Sequence, residues 1–349
     1  MHARLRAAIG AVIVSLVAVF AFAGCGSSSS TSTSTSGAGD GSSLVVYSGR
    51  SEEYVGPALA AFTKKTGVTV DVRYGDSVDL GLLIGEEGDK TPAQVFLAQS
   101  PGAMVYLDQS KLLSTLPQAT LDKVPATFRA DDGTWVGVTG RQRVLIYNTD
   151  LVNESDLPKS VFDLVKPQYE GKVAVAPSNS SFQDFVTAMT QLSGEQKTKA
   201  WLEGLAANGA KAYAKNDAIA DAVARGEIPF GLVNHYYFNE IIEKDPNAPV
   251  KVYRFPGTDP GSLFLVSTAA IPAPAANNAD AVALINYMLS PAGQAMFVAE
   301  EGEYPVVPGV KQATGQPSLS ELAYPTYDLS GLTDLRQTAK LIQGSGIGG

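Results

Sequence analysis

The chain reads as an α/β protein whose doubly wound, mainly parallel sheets are divided between two domains. Short apolar runs alternate with helical patterns along most of its length, the signature of strands joined by crossover helices. Roughly 300 residues follow a leader and a tether, more than one compact core holds. No internal repeat points to a solenoid or propeller.

Taken in order, Met1-His2-Ala3-Arg4-Leu5-Arg6 is a basic start, followed by an apolar stretch from Ala7 to Ala23 and the break Gly24-Cys25. That pattern is a secretion signal rather than a spanning helix. Phe22-Ala23-Gly24-Cys25 resembles a bacterial lipobox, which makes residues 1–24 a lipoprotein signal peptide and Cys25 the acylated first residue. An ordinary cleaved signal is the alternative. Cys25 is the sole cysteine and has no disulfide partner within the chain. Residues 25–43, rich in Ser, Thr and Gly, form a tether without a core.

Leu44–Tyr47 is a first strand, and Ser51-Glu52-Glu53 caps the helix that follows, with an acidic first turn. Val68–Val72 alternates as a second strand, Asp79–Glu87 reads as a helix, and Pro92–Ala98 is a third strand. Val144–Tyr147 and Gly171–Ala176 are further strands. Helices are expected over Phe182–Leu192, Lys197–Leu205 and Ala218–Arg225. After strand Leu263–Ser267, helices near Ala279–Leu289 and Ala292–Ala299 complete the body. Gly344–Gly349 fits GxGxxG as text, but no helix can follow it, so it is expected to be a flexible tail.

Without residues 1–24, which include Arg4 and Arg6, 24 basic residues face 35 acidic ones, a net charge of −11. Such a balance argues against a nucleic-acid partner, which needs a basic face. It suits an exported protein that accumulates cations. There is no GxSxG, P-loop or CxxC, and beyond His2 the only histidine is His235. A multi-histidine zinc site is thereby excluded, and a hydrolase would depend on His235 as its base.

The most informative stretch is Asn234-His235-Tyr236-Tyr237-Phe238-Asn239-Glu240. It follows an apolar strand ending at Val233 and begins a helix for which Asn234 is the candidate N-cap. A tyrosine pair can be ordinary packing. It can also supply two phenolates to a hard trivalent cation, because a strong Lewis acid deprotonates the phenols it coordinates. Adjacent residues in a strand point to opposite faces, whereas in the first turn of a helix they lie about 100° apart and can reach one ion.

Arg141 and Arg143 share one face of an extended segment. Two neighbouring guanidinium groups repel unless an anion or carboxylates lie between them. Ser178-Asn179-Ser180-Ser181, ahead of a helix, could present N–H groups to an anion or form a simple capped loop.

With these residues, the chain resembles the bacterial ferric-ion-binding proteins, the periplasmic-type solute-binding components of ABC iron transporters, in lipoprotein form. The resemblance runs from Leu44 to about Ile342. It rests on Tyr47-Ser48-Gly49-Arg50, Glu86–Ala93, Gly140-Arg141-Gln142-Arg143-Val144, Tyr213–Asn216, Asn234–Tyr237 and Gly302-Glu303-Tyr304-Pro305. It implies a type II periplasmic-binding-protein fold of two lobes, hinged by strands crossing near Arg143–Tyr147 and Leu263–Ala270. Lobe one would comprise 44–140 and 270–349, and lobe two 141–269.

The same resemblance makes Tyr236 and Tyr237 ligands to ferric iron, free or as a chelate, together with carbonate or another synergistic anion. Asn179, Ser180, Ser181, Asn216, Asn234, Arg141 and Arg143 are implicated in holding that anion. Tyr47 and Tyr304 match positions explained by packing. Where one branch has histidine and glutamate ligands, this chain has Ser51 and Gln99; Glu52 lies near enough in sequence to substitute. The expected protein is monomeric and not an enzyme. It is held to the outer face of the membrane only by its lipid and delivers iron to an ABC permease. The alternative is the same fold binding an organic anion or phosphonate without iron.

Overall fold

The computed structural model describes residues 43–99, 101–331 and 335–348. The expected signal peptide, Cys25 and all of the expected tether except Ser43 lie outside these residues.

The chain first forms β1 (Leu44–Ser48), α1 (Glu52–Thr66), β2 (Val70–Tyr74), α2 (Ser77–Glu87), β3 (Val95–Ala98), α3 (Pro101–Gln109) and α4 (Gln118–Leu121). It continues through β4 (Trp135–Asn148), β5 (Val173–Val175), α5 (Ser180–Ser193), α6 (Glu195–Ala207), β6 (Lys211–Ala212), α7 (Asn216–Ala224), β7 (Phe230–Asn234), α8 (Tyr236–Lys244) and β8 (Val250–Tyr253). The last group is β9 (Phe264–Ala270), α9 (Ala279–Met288), α10 (Pro291–Glu301), β10 (Tyr304–Pro305) and α11 (Leu335–Gly344).

Helix α1 shows how pattern becomes structure. It buries Val55, Ala58, Leu59 and Phe62, a spacing that lines one helical face. It stops at Gly67, whose φ of 79° is the left-handed conformation glycine adopts without penalty.

The strands follow one path, β2-β1-β3-β9-β4-β7-β5-β6, with β8 and β10 also paired to β4. The parallel pairings expected from strand–helix alternation are the outer ones, β1 with β2 and β3, and β5 with β6 and β7. The centre is antiparallel: β9 pairs with β3 and β4, and β4 with β7. The sheet is therefore mixed, because β9 returns from a distant part of the chain to lie between β3 and β4. Strand β4 is buried at every position. It pairs with β9 up to Gln142 and with β7 from Arg143 onward, so one continuous strand joins the two halves of the sheet.

A close approach beside this junction depends on glycine. A Cβ at Gly140 would lie 2.1 Å from the Phe264 ring, which stacks on Tyr324 at 5.0 Å. Any side chain there would displace the ring and misplace the neighbouring Arg141.

The C-terminal segment corrects two expectations. Residues 270–349 do not all stay with the first half, because α11 packs on α5 and α6. Thr338 bonds Thr187 at 2.7 Å, and Ile342 is buried. The glycine-rich end is not a loose tail either: Ile347 is buried and Gly348 lies beside Pro177 and Ala212. The apolar face of α11 needs a partner, and it finds one across the sheet.

Candidate metal and anion site

Three parallel strands, β5, β6 and β7, run in one direction, and helices α5, α7 and α8 follow them in the chain. The first residues of the three helices meet in one network. Asn179 caps α5, its Oδ1 accepting from the Ser181 N–H at 3.1 Å and from the Ser181 hydroxyl at 2.6 Å. Asn216, the first residue of α7, donates to Asn179 Oδ1 at 3.2 Å and to Ser181 Oγ at 3.0 Å. Helix N-termini carry partial positive charge, so the place where they meet favours anions and anionic ligands. Ser180 is half-buried, and its side chain joins none of these bonds.

Helix α8 starts at Tyr236, with His235 rather than Asn234 at the N-cap position. Asn234 ends β7, and its side chain has other work: Nδ2 donates to the Tyr236 phenol oxygen at 3.1 Å. The Tyr236 and Tyr237 rings lie 4.6 Å apart. The first turn of a helix thus sets the two rings side by side, as a strand would not. Burial is the main cause that raises the pKa of each phenol, and Tyr237 is well above the ordinary range. Phenols so placed keep their protons at neutral pH until a strong Lewis acid displaces them.

The two arginines of β4 have unequal surroundings, although both are fully buried. Arg143 is held on several sides. It donates from Nη1 to Asn234 Oδ1 at 3.1 Å and Ser181 Oγ at 3.4 Å, and from Nη2 to the Leu232 carbonyl at 2.7 Å. Its guanidinium lies over the Phe185 ring at 5.5 Å. Burial, with a smaller contribution from Arg141, lowers its pKa to about 9, so it remains charged at neutral pH.

Among the described residues, Arg141 has an ion pair with Asp184, at 3.9 Å, and its Nε, Nη1 and Nη2 lack a hydrogen-bond partner. A buried cation with three open donor nitrogens is poorly satisfied by the protein alone. An oxyanion would satisfy it.

His235 is occupied elsewhere. Its Nδ1 accepts from the Gln142 N–H at 3.2 Å, which leaves Nε2 to donate to the Gly302 carbonyl at 3.0 Å. Burial depresses its pKa to about 3, and Tyr304 stacks on it at 4.5 Å. With both nitrogens engaged and the ring neutral, His235 is not placed to act as the base a hydrolase would require.

The facing side of the site comes from the other half of the sheet. Tyr54, in the first turn of α1, donates to Glu240 Oε1 at 3.2 Å, and Glu240 lies one turn beyond the tyrosine pair on α8. Ser51 is exposed and bonds Glu53, while the Gln99 N–H donates to Ser77. Glu52 is exposed and acts on Tyr74 rather than on the pair. Tyr47 is buried and donates to Glu87 at 3.0 Å, in keeping with its expected packing role. Among the described residues there is no cluster of three His, Cys, Asp or Glu side chains suited to a metal.

Of the residues singled out in the sequence, Tyr236, Tyr237, Asn179, Ser181, Asn216, Asn234 and Arg143 form one connected network, and Arg141 lies against it. The sequence did not reveal Asp184, Tyr54 or Glu240. Asp184 was within reach, since it lies one helical turn after Ser181.

Residues 90–329 match the family model for bacterial extracellular solute-binding proteins. The chain is 33% identical over 307 residues to the Fe(3+)-binding periplasmic protein of Serratia marcescens, covering 87% of this chain and 90% of that one. Its structure resembles that of iron-bound HitA from Pseudomonas aeruginosa with a TM-score of 0.83 and 30% identity, over 87% of this chain and 99% of that one. It also resembles a Trichodesmium protein in complex with iron and citrate, with a TM-score of 0.75 and 26% identity, covering 87% of this chain and 99% of that one. The chain therefore belongs to the bacterial extracellular solute-binding proteins and has their two-lobed α/β fold.

Proposed function

We propose that this protein captures ferric iron outside the cytoplasm through the Tyr236 and Tyr237 phenolates and a synergistic anion, and hands it to an ABC permease. The observation that carries this is the pairing of two neighbouring phenols, Tyr236 buried and Tyr237 half-buried, with Tyr236 near enough to feel the charge of Arg141, whose guanidinium nitrogens have no hydrogen-bond partner among the described residues. The pairing makes chemical sense. A ferric ion with two phenolates keeps one positive charge, and Arg141 and Arg143 bring two against the one negative charge of Asp184, so a dianion such as carbonate neutralises the remainder. Phenolate and carbonate are hard oxygen donors suited to a hard trivalent cation. Asn179, Ser181, Asn216 and Asn234 supply donors around the anion, and the helix N-termini add to its stabilisation.

In this proposal the lobes close on the ion and open for the permease. Acylation of Cys25 keeps the monomer at the outer face of the membrane, within reach of that partner. The protein acts by binding and release and needs no turnover.

The test uses soluble protein beginning at Gly26, stripped of metal and titrated with ferric iron in competition with citrate, with and without bicarbonate. Bicarbonate-dependent binding in the wild type, lost in the Tyr236→Phe/Tyr237→Phe variant without loss of fold, is the expected result. Unchanged binding by that variant would remove the tyrosines from the site.

The same guanidinium, with its donors open among the described residues, also favours a second occupant, an organic anion or phosphonate bound without iron. Thermal shift separates the two: only an anion receptor is strongly stabilised by micromolar anion in the absence of metal.

A further inference from the structure

A buried ionic cluster lies where Gly302-Glu303-Tyr304-Pro305 meets β4. Arg50, just after β1, donates from Nη1 to Glu303 Oε2 at 3.0 Å and to Thr139 Oγ1 at 3.1 Å. Thr139 also bonds Glu303 Oε2 and lies 2.5 Å from the Ser267 hydroxyl. Arg50 is 4% exposed and Glu303 1%. Both bonds to the Glu303 carboxylate reach the same oxygen, Oε2. The other, Oε1, is buried and has no hydrogen-bond partner among the described residues.

An unsatisfied carboxylate oxygen in the interior is costly, and a native fold keeps one where something else uses it. The site beside it offers such a use. The next residue, Tyr304, stacks on His235, and the preceding carbonyl, of Gly302, accepts from that same ring. Glu303 is therefore fixed against the segment that carries the tyrosine pair. Neither Ser51 nor Gln99 offers a carboxylate or an imidazole.

We propose that Glu303 supplies a third protein oxygen to the bound cation, with Arg50 and Thr139 holding Oε2 so that Oε1 is left for the metal. This rests on the assignment of Tyr236 and Tyr237 as a ferric site. Arg50 already balances the Glu303 charge, so the carboxylate adds an oxygen donor to the ion and leaves the charge required of the anion unchanged. The carboxylate comes from the segment after α10, so the ion is gripped by stretches of chain far apart in sequence.

The experiment compares Glu303→Gln with Arg50→Gln, which breaks the same ion pair from its other end. Each is titrated with ferric citrate while the phenolate-to-iron absorption band is followed. Glu303→Gln is expected to weaken ferric binding by about tenfold or more and to move the band to longer wavelength, because losing an anionic donor makes iron a stronger acceptor. Arg50→Gln keeps the carboxylate but loosens its hold, so it is expected to lower Tm and to weaken binding less than Glu303→Gln does, with the band left in place. Should Glu303→Gln fail to fold, the double variant Arg50→Met/Glu303→Gln removes both buried charges together and is compared with Arg50→Gln instead. Equal effects of the Glu303 and Arg50 changes, or an unmoved band in the folded Glu303 variant, would overturn the proposal. A wild-type protein with no band at all would instead overturn the tyrosine assignment.

Discussion

The two sides of the site are built differently. On one side, Asn179, Ser181, Asn216, Arg143, Asn234 and Tyr236 are linked by an unbroken set of hydrogen bonds at the starts of α5, α7 and α8. On the other, among the described residues, α1 reaches α8 through one side-chain hydrogen bond, from Tyr54 to Glu240. The first side is preorganised, so binding there costs little rearrangement. The second has few bonds to break and is suited to movement, as a receptor that must also release its cargo requires.

The contrast can be tested by breaking each side in turn. The largest loss is expected from Tyr236→Phe/Tyr237→Phe, which removes both phenolates while the rings still pack. Ferric affinity should fall by at least about a thousandfold with Tm nearly unchanged, read by citrate competition and thermal melting.

Acid should attack the same side. Both phenols are protonated without metal, since burial raises their pKa values, so each must lose its proton to bind iron. Lowering pH therefore opposes binding. Two displaced protons weaken it by about 100-fold per pH unit, and a weakly buffered titration should count two protons released per iron from the phenols.

The two arginines sharpen the comparison further. Arg141→Lys, which keeps a cation facing Asp184 but removes the guanidinium fork, should cost about 10- to 100-fold in affinity and weaken the bicarbonate dependence with little change in stability. Arg143→Met should instead destabilise the fold by about 1–3 kcal/mol, since it strips donors from the Leu232 carbonyl and Asn234. Thermal melts and bicarbonate titrations of both variants check this. The smallest effect belongs to Tyr54→Phe, which should speed iron release a few-fold in stopped-flow chelation with no change in Tm.

What the sequence disclosed follows from these differences. The tyrosine pair, Asn179, Ser181 and Asn216 stand at strand-to-helix junctions, and such junctions are local patterns. The inequality of Arg141 and Arg143 is not local. It depends on β4 pairing with β7 in the register that sets Arg143 opposite Asn234, and on Asp184 arriving from α5. Strand–helix alternation correctly implied the outer parallel pairs but could not indicate that β9 would return antiparallel between β3 and β4. Strand β6 has only two residues and was too short to show alternation. Helix α11 was missed because its partner, α5, lies more than a hundred residues away in the chain.

The most direct measurement is the visible spectrum of metal-free protein during ferric titration, for the wild type and for the single and double Tyr→Phe variants at 236 and 237. A phenolate-to-iron band that weakens in each single variant and vanishes in the double one is the expected result. A colourless wild-type complex, or a band that survives in the double variant, would contradict the tyrosine site.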